Sequence, residues 1–96
     1  MEVVWRIKAS NELMEIYNYI YKESPQNALL VFNAIFDLAT SLSNFPYKFP
    51  KEPIINVDKV RFYVVWDYKI IYAIEGESIV ILRVFNTKQN PRKLKK

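Results

Sequence analysis

The spacing of apolar residues changes near the middle of this chain, and this change restricts the folds that the chain can adopt. In the first half, residues such as Leu13, Ile16, Tyr17 and Ile20 recur every three to four positions, which is the period of an α-helix. In the second half, apolar residues alternate with others, which is the period of a β-strand. The pattern predicts an α+β fold in which helices and strands are segregated along the chain.

Two helices are predicted in the first half. Ser10 or Asn11 can cap the first helix. Ser24 can cap the second helix, and Pro25 suits its first position because no backbone N–H is needed there. The second helix is expected to end near residues 43–44, before two Phe-Pro pairs. Because the connection between them is short, the helices should form an antiparallel hairpin.

Strands are predicted at residues 2–8, 59–66, 68–75 and 78–85. The only glycine, Gly76, lies between the last two, where a tight hairpin favours positive φ. Residues 47–58 contain prolines and should form an ordered loop, with a short extended piece at 54–57. Short links predict antiparallel pairing. The expected order is β-α-α-β-β-β: an N-terminal strand, the helical hairpin, then a three-stranded antiparallel meander, giving an antiparallel sheet with the helices on one face.

Length and composition exclude several classes of protein. At 96 residues the chain is expected to be one domain, residues 1–96, with a basic C-terminal tail from about residue 87. It has no Cys and no His, so disulfides, thiolate metal sites and the commonest general base are excluded. We therefore expect no metal and no cofactor. No apolar run approaches the roughly 20 residues that span a bilayer, and the chain begins like a strand rather than a signal peptide. A soluble cytoplasmic protein without a membrane partner is expected.

Composition and charge both point to a macromolecular partner. Hydrophobic residues make up 51% of the chain and aromatic residues 16%, which is more than one small core needs. The surplus suggests an apolar surface buried by a partner or a second copy, and the alternative is a tightly packed Tyr-rich core. From Arg83 onward the chain has six basic residues and no acidic one. This basic end favours an anionic partner, and the alternative is a solvated tail that aids solubility.

Side-chain alternation assigns strand residues to the two faces of the sheet. In the last strand it places Arg83 on the side of Ile79 and Ile81. Arg61 and Lys69 also lie within otherwise apolar strands. An unpaired charge is costly in apolar surroundings, and the helical hairpin can cover only one face. We therefore expect the three cations to lie together on the open, concave face.

The expected basic cluster has aromatic neighbours, Tyr63 and Phe85. Cations bind phosphates and aromatic rings stack on bases, so this combination is typical of a nucleic-acid contact. The alternative is that the cations mark an ordinary solvent-exposed face or form ion pairs with Asp58, Asp67 or Glu75.

Several segments, in this order and at these spacings, resemble the RelE/ParE superfamily of toxins over nearly the whole chain. They are LMEIYNYI from Leu13, SPQNA from Ser24, LSNFP from Leu42, YKIIY from Tyr68 and ILRVFNTKQNP from Ile81. The resemblance implies the toxin of a type II toxin–antitoxin module for plasmid stabilisation, with the same fold. It also implies a cognate antitoxin, usually acidic, that wraps the toxin and covers its apolar groove and basic face.

The resemblance leaves the target open between two branches of the superfamily. ParE-like members inhibit DNA gyrase, whereas RelE-like members cleave mRNA in the ribosome as metal-independent endoribonucleases. The helix restart at Ser24 and Pro25 and the exit at Phe45 and Pro46 are closer to the ParE layout. Growth arrest through gyrase is therefore the leading hypothesis, and mRNA cleavage is the alternative. A third hypothesis is a decayed toxin that acts only as a binding partner.

Each hypothesis assigns roles to specific residues. If the protein is a nuclease, the resemblance implies catalysis by Arg61, Lys69, Arg83 and Lys88. The alternative proton donors to Lys88 are the strand tyrosines Tyr63, Tyr68 and Tyr72. Lys69 replaces the usual Arg of that family position, so it lacks the planar two-donor grip of a guanidinium. Asn86 stands where many relatives have His and cannot exchange a proton near neutral pH. The residues expected to contact a partner or nucleic acid are Tyr63, Phe85, Asn86, Gln89, Arg92 and Lys93.

Overall fold

A computed structural model describes residues 1–88 of the protein and confirms the predicted α+β order. The elements are β1 (Glu2–Trp5), α1 (Ile7–Tyr21), α2 (Pro25–Ser41), β2 (Val60–Val65), β3 (Tyr68–Glu75) and β4 (Ser78–Asn86). In this part of the chain, no helix has the length and apolarity needed to cross a membrane.

The four strands form one sheet in the order β1-β4-β3-β2. Strands β2, β3 and β4 form the predicted antiparallel meander. Strand β1 instead pairs in parallel with β4, from Glu2 opposite Ser78 to Trp5 opposite Ile81. The sheet is therefore mixed, and the expectation of an antiparallel sheet was wrong for this one pairing. Short links enforce antiparallel pairing only between consecutive strands, and β1 and β4 are not consecutive.

The boundary between β1 and α1 differs from the prediction. The strand ends at Trp5 rather than at residue 8, and the helix begins at Ile7 with Arg6 at its cap position. The Arg6 N–H still donates to the Ile81 carbonyl at 3.1 Å, and the Arg6 carbonyl already accepts the first helical bond from Ser10 at 2.9 Å. Ser10 thus lies within the helix and is not its cap.

The start of α2 agrees with the prediction. The Ser24 side chain accepts the Asn27 N–H at 3.1 Å, and Pro25 occupies the first helical position. The helix ends at Ser41, slightly before the predicted residues 43–44. The backbone N–H groups of Ser43 and Asn44 donate three residues back, at 3.3 and 3.2 Å, so the predicted last turn is present in a tighter form.

Turns confirm one expectation and correct another. Gly76 has the predicted positive φ, +58°. Trp66, between β2 and β3, also has a positive φ of +50°, a conformation that large side chains rarely adopt. The extended piece predicted at residues 54–57 is absent among the described residues; Asn56 has a φ of +55° there. The loop instead pairs earlier, through a bridge between Lys51 and Arg61 on the outer edge of β2.

Apolar side chains pack on both faces of the sheet. The helices cover one face, here called the helix face, over a core that includes Leu13, Ile35, Leu42, Ile70, Tyr72, Ile79 and Ile81. On the opposite face, here called the far face, a smaller cluster contains Val60, Ile71, Ala73 and Phe85. Ile55 of the loop packs against this second cluster. Two clusters take up more apolar residues than one small core, which accounts for part of the compositional surplus.

Candidate functional site

The three strand cations do not form one cluster. Arg61 lies opposite Tyr72, a residue of the helix-face core, whereas Lys69 lies opposite Phe85 of the far-face cluster. Residues paired across neighbouring strands share a face. The expectation that all three cations lie together on one open face was therefore wrong, because Arg61 lies on the opposite face from Lys69.

A β-bulge explains why simple alternation misplaced Arg83. The pairing of β3 with β4 shifts between Ile71 and Tyr72, so that Ile71 faces Arg83 while Tyr72 faces Ile81. The additional residue, Leu82, reverses the alternation of β4 beyond it. Arg83 is consequently on the side of Ile71, not of Ile81, and it shares the far face with Lys69, as expected for these two cations. Val84 joins the helix-face core.

Arg61 is held by the loop that precedes β2. Its guanidinium forms a 2.8 Å ion pair with Asp58 and donates to the carbonyl oxygens of Asp58 and Phe49 at 2.9 and 3.1 Å. The guanidinium also lies over the Tyr47 ring, 4.9 Å from its centre. Of the ion pairs considered from sequence, the one with Asp58 is confirmed.

Lys69 forms an ion pair with Glu52, a loop residue that the sequence did not single out. Glu52 is fully buried, and its Oε1 atom accepts the backbone N–H groups of Ile54 and Ile55 at 2.7 and 2.8 Å. Burial acts to raise the pKa of Glu52, but the Lys69 ammonium and these N–H groups outweigh it and hold the pKa below its ordinary value. The carboxylate thus remains charged and fastens the loop to the sheet.

Arg83 is paired with Glu12 of α1. The Arg83 guanidinium donates to the Glu12 carboxylate at 2.9 and 3.0 Å, and the Val84 N–H donates to the same carboxylate at 2.9 Å. Strand β1 stops opposite Ile81, so Glu12 supplies the hydrogen-bond acceptor that a longer edge strand would have given to Val84. Arg83 also lies over the Phe85 ring, 5.4 Å from its centre.

Two of the candidate tyrosines, Tyr63 and Tyr72, donate their hydroxyls to backbone carbonyl oxygens. Tyr63 is buried and donates to the Ile35 carbonyl at 3.0 Å, and Tyr72 donates to the Pro46 carbonyl at 2.7 Å. Burial raises the pKa of Tyr63 and raises that of Tyr72 to about 12. The expectation that Tyr63 lies on an open face was wrong, because alternation directs it into the helix-face core.

The end of β4 holds two predicted contact residues, Phe85 and Asn86, and is followed by Lys88, which was predicted as catalytic. Phe85 is mostly buried, Asn86 is partly exposed, and Lys88 is exposed. The Asn86 side chain accepts the Lys88 backbone N–H at 2.8 Å. The predicted contact residues Gln89, Arg92 and Lys93 lie outside the described residues. Within residues 1–88, no three acidic, His or Cys side chains come together as metal ligands.

A row of aromatic rings that runs from the end of β1 over the helical hairpin was not predicted from sequence. In order it comprises Trp5, Phe36, Phe32, Tyr17 and Tyr21, with successive ring centres 5.7 to 5.9 Å apart. Phe36 and Tyr21 remain 42% and 50% exposed, which is unusual for such large apolar groups. The only sequence signal for this aromatic row was the surplus of aromatic residues. Its geometry suits contact with the apolar side of a partner segment.

Comparison with known proteins identifies relatives of the chain. The family model described as "ParE toxin of type II toxin-antitoxin system, parDE" matches residues 3–91. Among solved structures, the chain is similar to one described as "Chromosomal ParDE TA system from P. aeruginosa", with 26% sequence identity and a TM-score of 0.73. The match covers 90% of this chain and 95% of that chain. No match was found among curated protein sequences.

Proposed function

Because the chain belongs to the family of ParE toxins of type II toxin–antitoxin systems, we propose that it arrests bacterial growth by inhibiting DNA gyrase. A toxin of such a system has a cognate antitoxin as its partner.

The placement of the strand cations is the observation that carries the proposal. An RNase needs several cations directed at one phosphate, together with groups that exchange protons near neutral pH. Here Arg61, Lys69 and Arg83 are each paired with a different carboxylate, and Arg61 lies on the opposite face of the sheet from the other two. The chain has no His, and the hydroxyls of Tyr63 and Tyr72 are bound to backbone carbonyls. These features favour binding and inhibition over RNA cleavage.

The proposed contact surface lies at the C-terminal end of β4. Asn86 and Lys88 present polar and basic groups to solvent there, and the predicted contact residues Gln89, Arg92 and Lys93 follow in sequence. Such a surface suits an acidic region of a large protein, because opposite charges accelerate and orient association.

The cognate antitoxin is proposed to be acidic and to cover the aromatic row. The toxin has a formal net charge of +4, which is complementary to an acidic partner. Met14 and Leu29 are also exposed, and each lies three positions before a ring of the row on its helix, hence on the same side of that helix. A bound antitoxin segment would remove this apolar surface from water, which is the main driving force of most protein association.

Induced expression in a bacterial host tests the proposed function. We expect growth arrest together with a loss of negative supercoiling in a reporter plasmid, while mapped mRNA 5′ ends stay unchanged. New mRNA 5′ ends within coding regions, appearing with normal plasmid supercoiling, would overturn the proposal in favour of RNA cleavage. Normal growth with normal supercoiling would also overturn it and would support a decayed toxin.

A further inference from the structure

A cleft of about 410 Å³ lies between α1 and the neighbouring ends of β3 and β4. One wall consists of α1 residues, among them Glu15, Ile16 and Tyr19. The other wall includes Tyr68 at the start of β3 and Phe85 near the end of β4. The cleft therefore combines aromatic rings and acidic side chains with an aliphatic part, Ile16 and Val84, here called its apolar floor.

Three acidic side chains lie at or near the cleft, and within the described residues one of them forms an ion pair. Glu12, also in the lining, is paired with Arg83. Glu15 and Asp67 are both exposed, and neither forms an ion pair within residues 1–88. Asp67 is outside the cleft lining but precedes Tyr68, a lining residue, in the chain. Two carboxylates beside two tyrosine rings favour a cationic ligand, which gains from both charge and ring faces.

The chain itself leaves the sheet beside this cleft. Asn86 is the last residue of β4 and also part of the cleft lining. The Thr87 N–H donates to the Asp67 carbonyl at 2.7 Å, and the Lys88 N–H donates to the Asn86 side chain at 2.8 Å. These bonds hold the chain next to the start of β3, at one end of the cleft.

The residues that follow have the composition that the cleft favours. Residues 89–96 contain four cations, one leucine and no acidic side chain. An extended segment of that length spans up to about 26 Å. The α1 wall from Glu12 to Tyr19 is only about 10 Å long, given the helical rise per residue. The segment is therefore long enough to run the length of the cleft.

We propose that residues 89–96 of the chain bind in this cleft, with their cations beside Glu15 and Asp67 and their leucine against the apolar floor. The cleft is thus an intramolecular docking site for the basic tail. The basic tail can then bind either this cleft or an external anionic partner, but not both at once.

Paramagnetic NMR on the full chain tests the docking directly. The protein has no Cys, so a Lys96→Cys variant accepts a spin label at that position alone. If the tail is docked, the label will broaden the amide signals of Ile16, Tyr19 and Tyr68. A Glu15→Lys substitution in the same labelled chain should remove most of this broadening, and so should high salt. Glu23→Lys, an identical change of charge at an exposed residue outside the cleft lining, should leave it unchanged.

The outcomes of this experiment are distinct. Broadening at the cleft that is lost with Glu15→Lys and retained with Glu23→Lys supports the docking. Broadening confined to residues adjoining the tail in sequence would overturn it. Equal losses with both substitutions would also overturn it, because they would indicate a general effect of net charge. Dispersed amide spectra verify that each variant is folded, and none of these readings depends on the proposed action on gyrase.

Discussion

At the scale of single residues, ion pairing decides what the strand cations do. Sequence alternation identified Arg61, Lys69 and Arg83 as exceptional, because charges in apolar strands need a partner or an open face. It could not identify Glu12 and Glu52 as their partners, since these lie 71 and 17 positions away along the chain. The cations therefore anchor a loop and a helix to the sheet.

Removing Lys69 should destabilise the protein strongly. Lys69→Met leaves the buried Glu52 carboxylate without its cation, at a cost of about 3 kcal/mol in the free energy of unfolding. Lys59→Met, which breaks the half-exposed pair with Glu75, should cost less than about 1 kcal/mol. Urea denaturation of both variants measures these free energies. Equal and small losses would show that the Glu52–Lys69 pair does not fasten the loop.

The pH dependence of stability should carry the signature of Glu52. Its pKa in the folded protein lies below the ordinary value of 4.5, so its ionised form stabilises the fold above pH 4.5. This stabilisation is lost as the pH falls through the folded-state pKa. The difference in unfolding free energy between the wild type and Glu52→Gln should therefore be constant near neutral pH and shrink below pH 4.5. A difference that grows on acidification would contradict the assigned direction of the shift.

At the scale of secondary-structure elements, the sequence predicted correctly those features whose conformation depends only on neighbouring residues. The cap and proline at the start of α2, the glycine turn and the three meander strands all follow from neighbouring residues. The β1–α1 boundary, the bulge at Leu82 and the parallel pairing of β1 do not, because distant strands determine them. Pairing between distant strands also determines the face of the sheet on which a side chain lies. Alternation along the sequence therefore placed Tyr63 and the three cations only in part.

Two serine substitutions distinguish the observed helix caps from the predicted ones. Ser24→Ala removes the side-chain acceptor for the Asn27 N–H and should lower the unfolding free energy by about 1 kcal/mol. Ser10→Ala falls inside α1, where alanine is a better helix former, and should leave stability unchanged or slightly increased. Thermal or urea unfolding compares the two. A larger loss for Ser10→Ala would mean that Ser10 caps the helix after all.

At the scale of the whole molecule, the distribution of apolar and charged groups suits a protein that functions by binding. Apolar clusters fill both faces of the sheet, yet the aromatic row on the helical hairpin stays partly exposed. Basic residues collect at the end of β4 and beyond. Under the proposed function, the aromatic row would bind the antitoxin and the basic end of the chain would bind the target.

Truncating the centre of the aromatic row should weaken antitoxin binding. Phe36 stacks on both Trp5 and Phe32, and Phe36→Ala should raise the antitoxin Kd roughly thirtyfold, corresponding to about 2 kcal/mol. Asp37→Ala, at the exposed neighbouring position, is the matched control and should change Kd little. Calorimetric titration with the cognate antitoxin measures both values. An unchanged Kd for Phe36→Ala would place the antitoxin elsewhere on the toxin.

The most direct test of the central claim uses purified components. The toxin is added to a DNA gyrase supercoiling reaction and, in parallel, to a translating extract with a defined mRNA. We expect inhibition of supercoiling that increases with toxin concentration and is reversed by the antitoxin, while the mRNA remains intact. Ribosome-dependent cleavage of the mRNA, with supercoiling unaffected, would contradict the proposed inhibition of gyrase. It would favour Arg61, Lys69 and Arg83 as catalytic groups.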